Sequence, residues 1–155
     1  MKNRYIFHAH ISERKFRRIL RLFSLDLNAM QIADLTRVSR NSINRYLTAL
    51  RERMAWLCEQ AAPMRGEIEV DESYFGARRV KGKRGRGVFA RGEAHINGIE
   101  GFWGYAKSRL AKFRGMSKHT FYLHLKECEF RFNHRQDKVY EIMLDSCEKL
   151  PLNLS

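Results

Sequence analysis

From Ser12 to Leu50 the apolar residues return at helical intervals, and this period constrains the fold more than any other feature of the chain. Phe16, Ile19, Leu20 and Phe23 fall at i, i+3, i+4 and i+7 behind Ser12, a residue type suited to an N-cap. Arg14, Lys15, Arg17, Arg18 and Arg21 fill the other face. A second short helix is expected after Asn28, with Met30, Ile32, Ala33 and Leu35. Val38 and Ser39 mark a turn, and Ser39 can cap a third helix. That helix buries Ile43, Leu47 and Leu50 at spacings of 4 and 3, and turns Arg40, Asn41, Asn44, Arg45 and Thr48 outward.

The charge narrows the class of partner. The 155 residues carry 30 Lys+Arg against 17 Asp+Glu, a formal net charge of +13. Residues 1–66 alone hold 13 basic and 5 acidic residues. An excess of this size calls for a polyanion, nucleic acid first and an anionic membrane surface second. No apolar run approaches the roughly 18 residues of a membrane span, and Met1–Ile11 lacks the pattern of a signal peptide. Three widely spaced cysteines, Cys58, Cys128 and Cys147, form no CxxC pair. They are expected as buried thiols in a reducing compartment, so a cytoplasmic location is expected.

The stretch Gln31–Leu47 resembles a helix-turn-helix. Ala33 is small where two helices would cross, Val38 plugs the turn, and Ser39 begins the recognition helix. Arg40, Asn41, Ser42, Asn44 and Arg45 would then reach base edges and phosphates of double-stranded DNA. Arg37 stands where glycine is common in such turns, a place where left-handed backbone is uncomfortable for a side chain. The competing reading is a basic three-helix bundle with no specific partner.

Pro63 and Gly66 end the helical pattern. In Gly66–Gly76, Ile68 and Val70 alternate with Glu67, Glu69 and Asp71, the period of a strand with one apolar face. A carboxylate at a strand end is rigidly placed and suits a divalent-metal ligand, although a solvated strand-end acid reads the same way. Arg78, Arg79, Lys81, Lys83, Arg84 and Arg86, punctuated by glycine, form a basic turn or hairpin for phosphate contact, or a solvated loop.

The final third is helical by its spacing. Ile99, Trp103, Ala106, Leu110 and Phe113 repeat at 4, 3, 4 and 3, which predicts a helix over about 97–113. A second follows Ser117, with Phe121, Leu125, Cys128 and Phe132 on one face, and a third near 137–149 carries Tyr140, Met143, Leu144 and Cys147. His119 and His124 read as ordinary helix residues.

Three motifs in order, Gly66–Gly76, His95–Leu110 and Phe121–Arg135, resemble those of a bacterial insertion-sequence transposase of the ISXO-two-like subgroup, in the DDE, RNase H-like superfamily. The resemblance implies an α+β, mostly helical fold. Residues 1–62 would be a helix-turn-helix DNA-binding domain. Residues 66–150 would be an incomplete RNase H-like remnant, a strand or hairpin plus C-terminal helices. It implies Asp71 as the first catalytic and metal-binding acid, and Asn97 or Glu100 at the third catalytic position. Glu100 is favoured as the second metal ligand here, because Lys107 two turns later fits the basic residue expected downstream. The implied cofactor is Mg²⁺ or Mn²⁺, in two-metal phosphoryl transfer. Implied partners are the element's terminal inverted repeats, further copies of this chain or full-length transposase, and no membrane. Location would be the nucleoid. The pattern departs from the family at its centre. No Asp occurs between Asp71 and Asp137, so the segment with the second catalytic Asp is missing. The expected consequence is a catalytically defective protein, whose rival description is a non-enzymatic DNA-binding regulator or dominant-negative inhibitor.

Overall fold

The computed structural model describes residues 3–61, 93–111, 113 and 115–154, and for 93–100 the backbone alone. Among the described residues the chain is helical, with α1 (Glu13–Ser24), α2 (Ala29–Thr36), α3 (Arg40–Ala61), α4 (Glu93–Leu110), α5 (Lys118–Asn133) and α6 (Val139–Lys149). The expected strand at 66–76 and the basic hairpin at 78–87 lie outside the described residues.

The starts of the helices follow from local chemistry. Ser12 accepts a hydrogen bond from Lys15 N at 3.3 Å and caps α1. Asn28 and Gln31 form a reciprocal capping box at α2, each side chain accepting from the other's backbone N–H at 3.0 Å. Ser39 Oγ accepts from Ser42 N at 3.2 Å, and its carbonyl accepts from Ile43 N at 3.0 Å, which opens α3. Ser117 Oγ accepts from Thr120 N at 3.2 Å and opens α5.

The buried faces match the sequence period. Phe16, Ile19, Leu20 and Phe23 of α1 are all buried, as are Ile43, Leu47 and Leu50 of α3. At about 1.5–3 kcal/mol for each large side chain removed from water, the α1 stripe alone contributes roughly 6–12 kcal/mol before conformational entropy is set against it.

The core does not stop at the end of α3. Phe130 of α5, Met143 and Cys147 of α6, and Leu152 join Tyr5, Ile6, Phe16, Phe23, Leu50 and Met54 in one cluster. The two ends of the chain also meet: Phe7 N donates to Leu152 O at 2.9 Å and Leu152 N to Tyr5 O at 2.8 Å. A smaller cluster of Ala106, Leu110, Phe121 and Cys128 holds α4 against α5. Helix α5 is therefore the central element, packed on α3 and on α4. It buries Leu123, His124, Glu127 and Phe130 in addition to the predicted Phe121 and Cys128.

Two boundaries differ from expectation. Helix α4 begins by Glu93 and ends at Leu110, because Phe113 N turns back to Leu110 O at 3.0 Å and Gly115 takes a positive φ of 72°. Helix α6 starts at Val139, with no side-chain cap at Lys138.

Candidate nucleic-acid interface

The α2–α3 corner is built from a short turn. Arg37 closes α2 in left-handed backbone, φ 56° and ψ 37°, the conformation a glycine would take without strain. Val38 is half-buried and packs on the main core, and Ala33 does the same from α2. The first turns of α3 then divide by period. Ile43, Tyr46 and Leu47 face the core, while Arg40, Asn41, Asn44, Arg45 and Thr48 are exposed. Ser42 is half-buried, and its hydroxyl is bonded to Ser39 at 2.9 Å. The four exposed Arg and Asn side chains thus present guanidinium and amide groups from one surface.

Arg40 and Asn44 of this surface also line a cavity of about 350 Å³, with Asn28, Met30, Arg109 and Glu127 among others. Its lining includes part of a charge cluster centred on Glu127, whose side chain has no solvent exposure. Glu127 Oε2 accepts from Arg51 Nε at 2.7 Å. Its Oε1 accepts from Arg109 Nη2 at 2.8 Å and from Arg131 Nε at 2.9 Å. Arg109 also pairs with Asp26, at the end of α1. Arg131 donates to the carbonyls of Phe23 at 2.6 Å and Ser24 at 3.1 Å, the last turn of α1. One buried carboxylate therefore ties α1, α3, α4 and α5 together. Burial alone would push its carboxyl up. The guanidiniums of Arg51, Arg109 and Arg131 override that and hold it at about 2.

The sequence pattern does not point to this cluster. Its one local sign is the i, i+4 spacing of Glu127 and Arg131. Arg51 and Arg109 come from distant positions in the chain, and no periodicity connects them.

Asp71 and the basic residues Arg78, Arg79, Lys81, Lys83, Arg84 and Arg86 lie outside the described residues. Asn97 and Glu100 lie in α4, where the backbone alone is described. Lys107 is exposed on α4, seven residues and about 10.5 Å along the helix axis beyond Glu100. Among the described residues, no group of three or more His, Cys, Asp or Glu side chains is arranged to hold a metal ion. His124 is buried against the ring of Phe113, with centroids 4.5 Å apart, and is 3.9 Å from Glu127.

A helical protein with an exposed Arg/Asn surface opening its longest described helix is the class these observations define. Among the described residues, no helix is long and apolar enough to cross a membrane. No protein-family model matches the chain, and no solved structure matches it. Over 50 residues the chain is 52% identical to an uncharacterized transposase-like protein of Haemophilus influenzae (strain ATCC 51907 / DSM 11121 / KW20 / Rd). The match covers 32% of this chain and 41% of that protein, so the chain spans about two fifths of the relative's length. To that extent it is similar to a transposase-like protein.

Proposed function

We propose that this chain is a DNA-binding protein derived from an insertion-sequence transposase, in which α2, the turn and α3 form a DNA-reading helix-turn-helix. One observation carries the reading: Arg40, Asn41, Asn44 and Arg45 are exposed together on the first turns of a helix that follows a tight turn. Arg offers a fork of donors matched to guanine O6 and N7, and Asn a donor–acceptor pair matched to adenine. The likeness to a transposase-like protein supports the same partner. Lys107 and the basic run Arg78–Arg86 act as phosphate contacts in this reading, and residues 66–150 descend from an RNase H-like catalytic domain.

Catalysis is a separate matter. The resemblance brings with it Mg²⁺ or Mn²⁺ on three catalytic positions. This sequence offers Asp71 and, at the third position, Glu100 or Asn97. It has no Asp between Asp71 and Asp137, and the acid between Glu72 and Glu100 is Glu93, which matches no family position. The donor set is one carboxylate short of a two-metal site, so the residues present do not fit the metal pair and no strand-cleaving step is assigned. The proposed activity is occupation of the element's terminal inverted repeats, alone, as an oligomer, or together with full-length transposase.

Selection of duplexes from a random-sequence pool tests the reading. The wild-type chain is expected to enrich one site, and an Asn44→Ala/Arg45→Ala chain to lose the preference while keeping its melting temperature. Enrichment of no sequence by the wild-type chain would refute it.

A further inference from the structure

The face of α1 opposite its core stripe holds five cations within eight residues, Arg14, Lys15, Arg17, Arg18 and Arg21, and all five are exposed. At helical spacing they make five like-charge neighbours three or four residues apart, an arrangement that destabilises the helix that carries it. Among the described residues, none of the five forms an ion pair with an acidic side chain. Its own acid, Glu13, pairs with Arg4 and only attracts Arg17 from a distance, which leaves four of the five cations without a nearby acid on α1. On α6, which packs against α1, Glu141 pairs with Lys138, Asp145 with Lys149, and Glu148 with Arg4. Asp34 of α2 forms no ion pair with α1. Two of the five cations are instead held in place by neutral rings. Arg17 donates to the Tyr5 hydroxyl, and the Arg21 guanidinium lies 4.7 Å from the Tyr140 ring centroid.

We infer that this face of α1 is a second phosphate-contacting surface, which grips the DNA backbone beside the site that α3 reads. The inference rests on the reading of α3 as a DNA-reading helix. A polyanion relieves the repulsion that the fold leaves in place, and the closely spaced phosphates of a duplex match such a density of cations. A membrane surface fits less well. A helix that lies in a bilayer interface needs its apolar face free to enter the lipid, and the apolar face of α1 is spent in the core.

The test is the salt dependence of binding, measured by fluorescence anisotropy on a selected duplex with about one helical turn, ~10 base pairs, on either side of the site. An Arg14→Gln/Lys15→Gln/Arg18→Gln chain is compared with the wild type. A Lys118→Gln/Arg135→Gln/Lys149→Gln chain removes the same net charge elsewhere. The slope of log K against log salt is expected to become shallower by ~0.9 per lost contact, about 2.7 for the α1 variant, and by less than about 1 for the control. The melting temperature of the α1 variant should be unchanged or higher, and its preferred sequence the same. Equal slopes for the two variants, or no change in either, overturn the inference and leave the α3 reading standing. So does wild-type binding to phosphatidylserine vesicles that the α1 variant loses while its duplex titration is unaltered. If the wild-type chain binds no duplex at all, the α3 reading fails and this inference falls with it.

Discussion

Replacing Glu127 by Gln keeps the shape of the side chain and removes the one negative charge shared by Arg51, Arg109 and Arg131. Removing one partner of a buried ion pair costs about 3–5 kcal/mol, because the remaining charge stays buried and uncompensated. Arg109 retains Asp26, and Arg131 retains the carbonyls of Phe23 and Ser24, which places the expected loss near the lower end. The depressed carboxyl expresses the same contacts as a pH dependence. The Glu127 carboxyl lies at about 2 in the folded chain against an ordinary 4.5. At about 1.4 kcal/mol per pH unit, the interval corresponds to about 3 kcal/mol. Because the folded value is the lower one, this stability is present above about 4.5 and is lost as pH falls toward 2. Thermal unfolding followed by far-ultraviolet circular dichroism reads both effects. At neutral pH the Glu127→Gln chain should melt roughly 6–12 °C below wild type, taking about 2–4 °C per kcal/mol for a chain of this size. The gap should close as the wild type is acidified from pH 5 toward pH 2. A variant that melts within about 2 °C of wild type at neutral pH, with the same acid profile, would show that the Glu127 carboxylate does not hold the three guanidiniums together.

Four further outcomes follow from the structure. Arg37→Gly should stabilise the chain by about 0.5–1 kcal/mol in urea denaturation, since glycine takes left-handed backbone without the side-chain penalty and gives back part of that gain as unfolded-state entropy. A lower midpoint for this variant would show that the Arg37 side chain contributes more than its backbone costs. Asn28→Ala, which breaks the α2 capping box, should lose about 1 kcal/mol in the same assay, and no loss would deny the cap its role. The cysteines are buried, and burial pushes the Cys58 thiol up to about 12 and the Cys147 thiol up to about 11. At pH 8 an aromatic disulfide reagent should therefore react only as fast as the chain opens, and rapid labelling of the native protein would contradict that burial. Duplex incubated with the chain and Mg²⁺ or Mn²⁺ should stay uncut, and metal-dependent nicking that Asp71→Ala abolishes would show that another group supplies the missing carboxylate.

What the sequence made legible was local. Ser12, Asn28, Ser39 and Ser117 announce helix starts because capping is settled within three residues, and each of these side chains makes its capping bond. The apolar stripes of α1 and α3 were readable because a helix buried on one face repeats its pattern every turn. The period of α5 predicts a one-faced stripe, Phe121, Leu125, Cys128 and Phe132, whereas the helix is packed on both α3 and α4 and buries Glu127 and Arg131 as well. Charged residues in a central helix look like a solvated face until their partners are known. Here the partners come from α1's end, α3 and α4, at sequence separations that no local pattern reports. The joining of the N-terminal helices to α5 and α6 in one core was invisible for the same reason. On the candidate interface, period alone identified Arg40, Asn41, Asn44 and Arg45 as outward-facing, and Ser42 differs because its hydroxyl turns back to Ser39.

The central claim is that α3 reads DNA sequence. Its most direct measurement is the ratio of affinities for a selected duplex and a scrambled duplex at one fixed salt concentration, for wild type and for an Asn44→Ala/Arg45→Ala chain. The account predicts a wild-type preference that falls by about 1–3 kcal/mol per lost base contact in the variant, with affinity for the scrambled duplex much less affected. Equal affinity of the wild-type chain for both duplexes, or a variant that keeps the full preference, would contradict it.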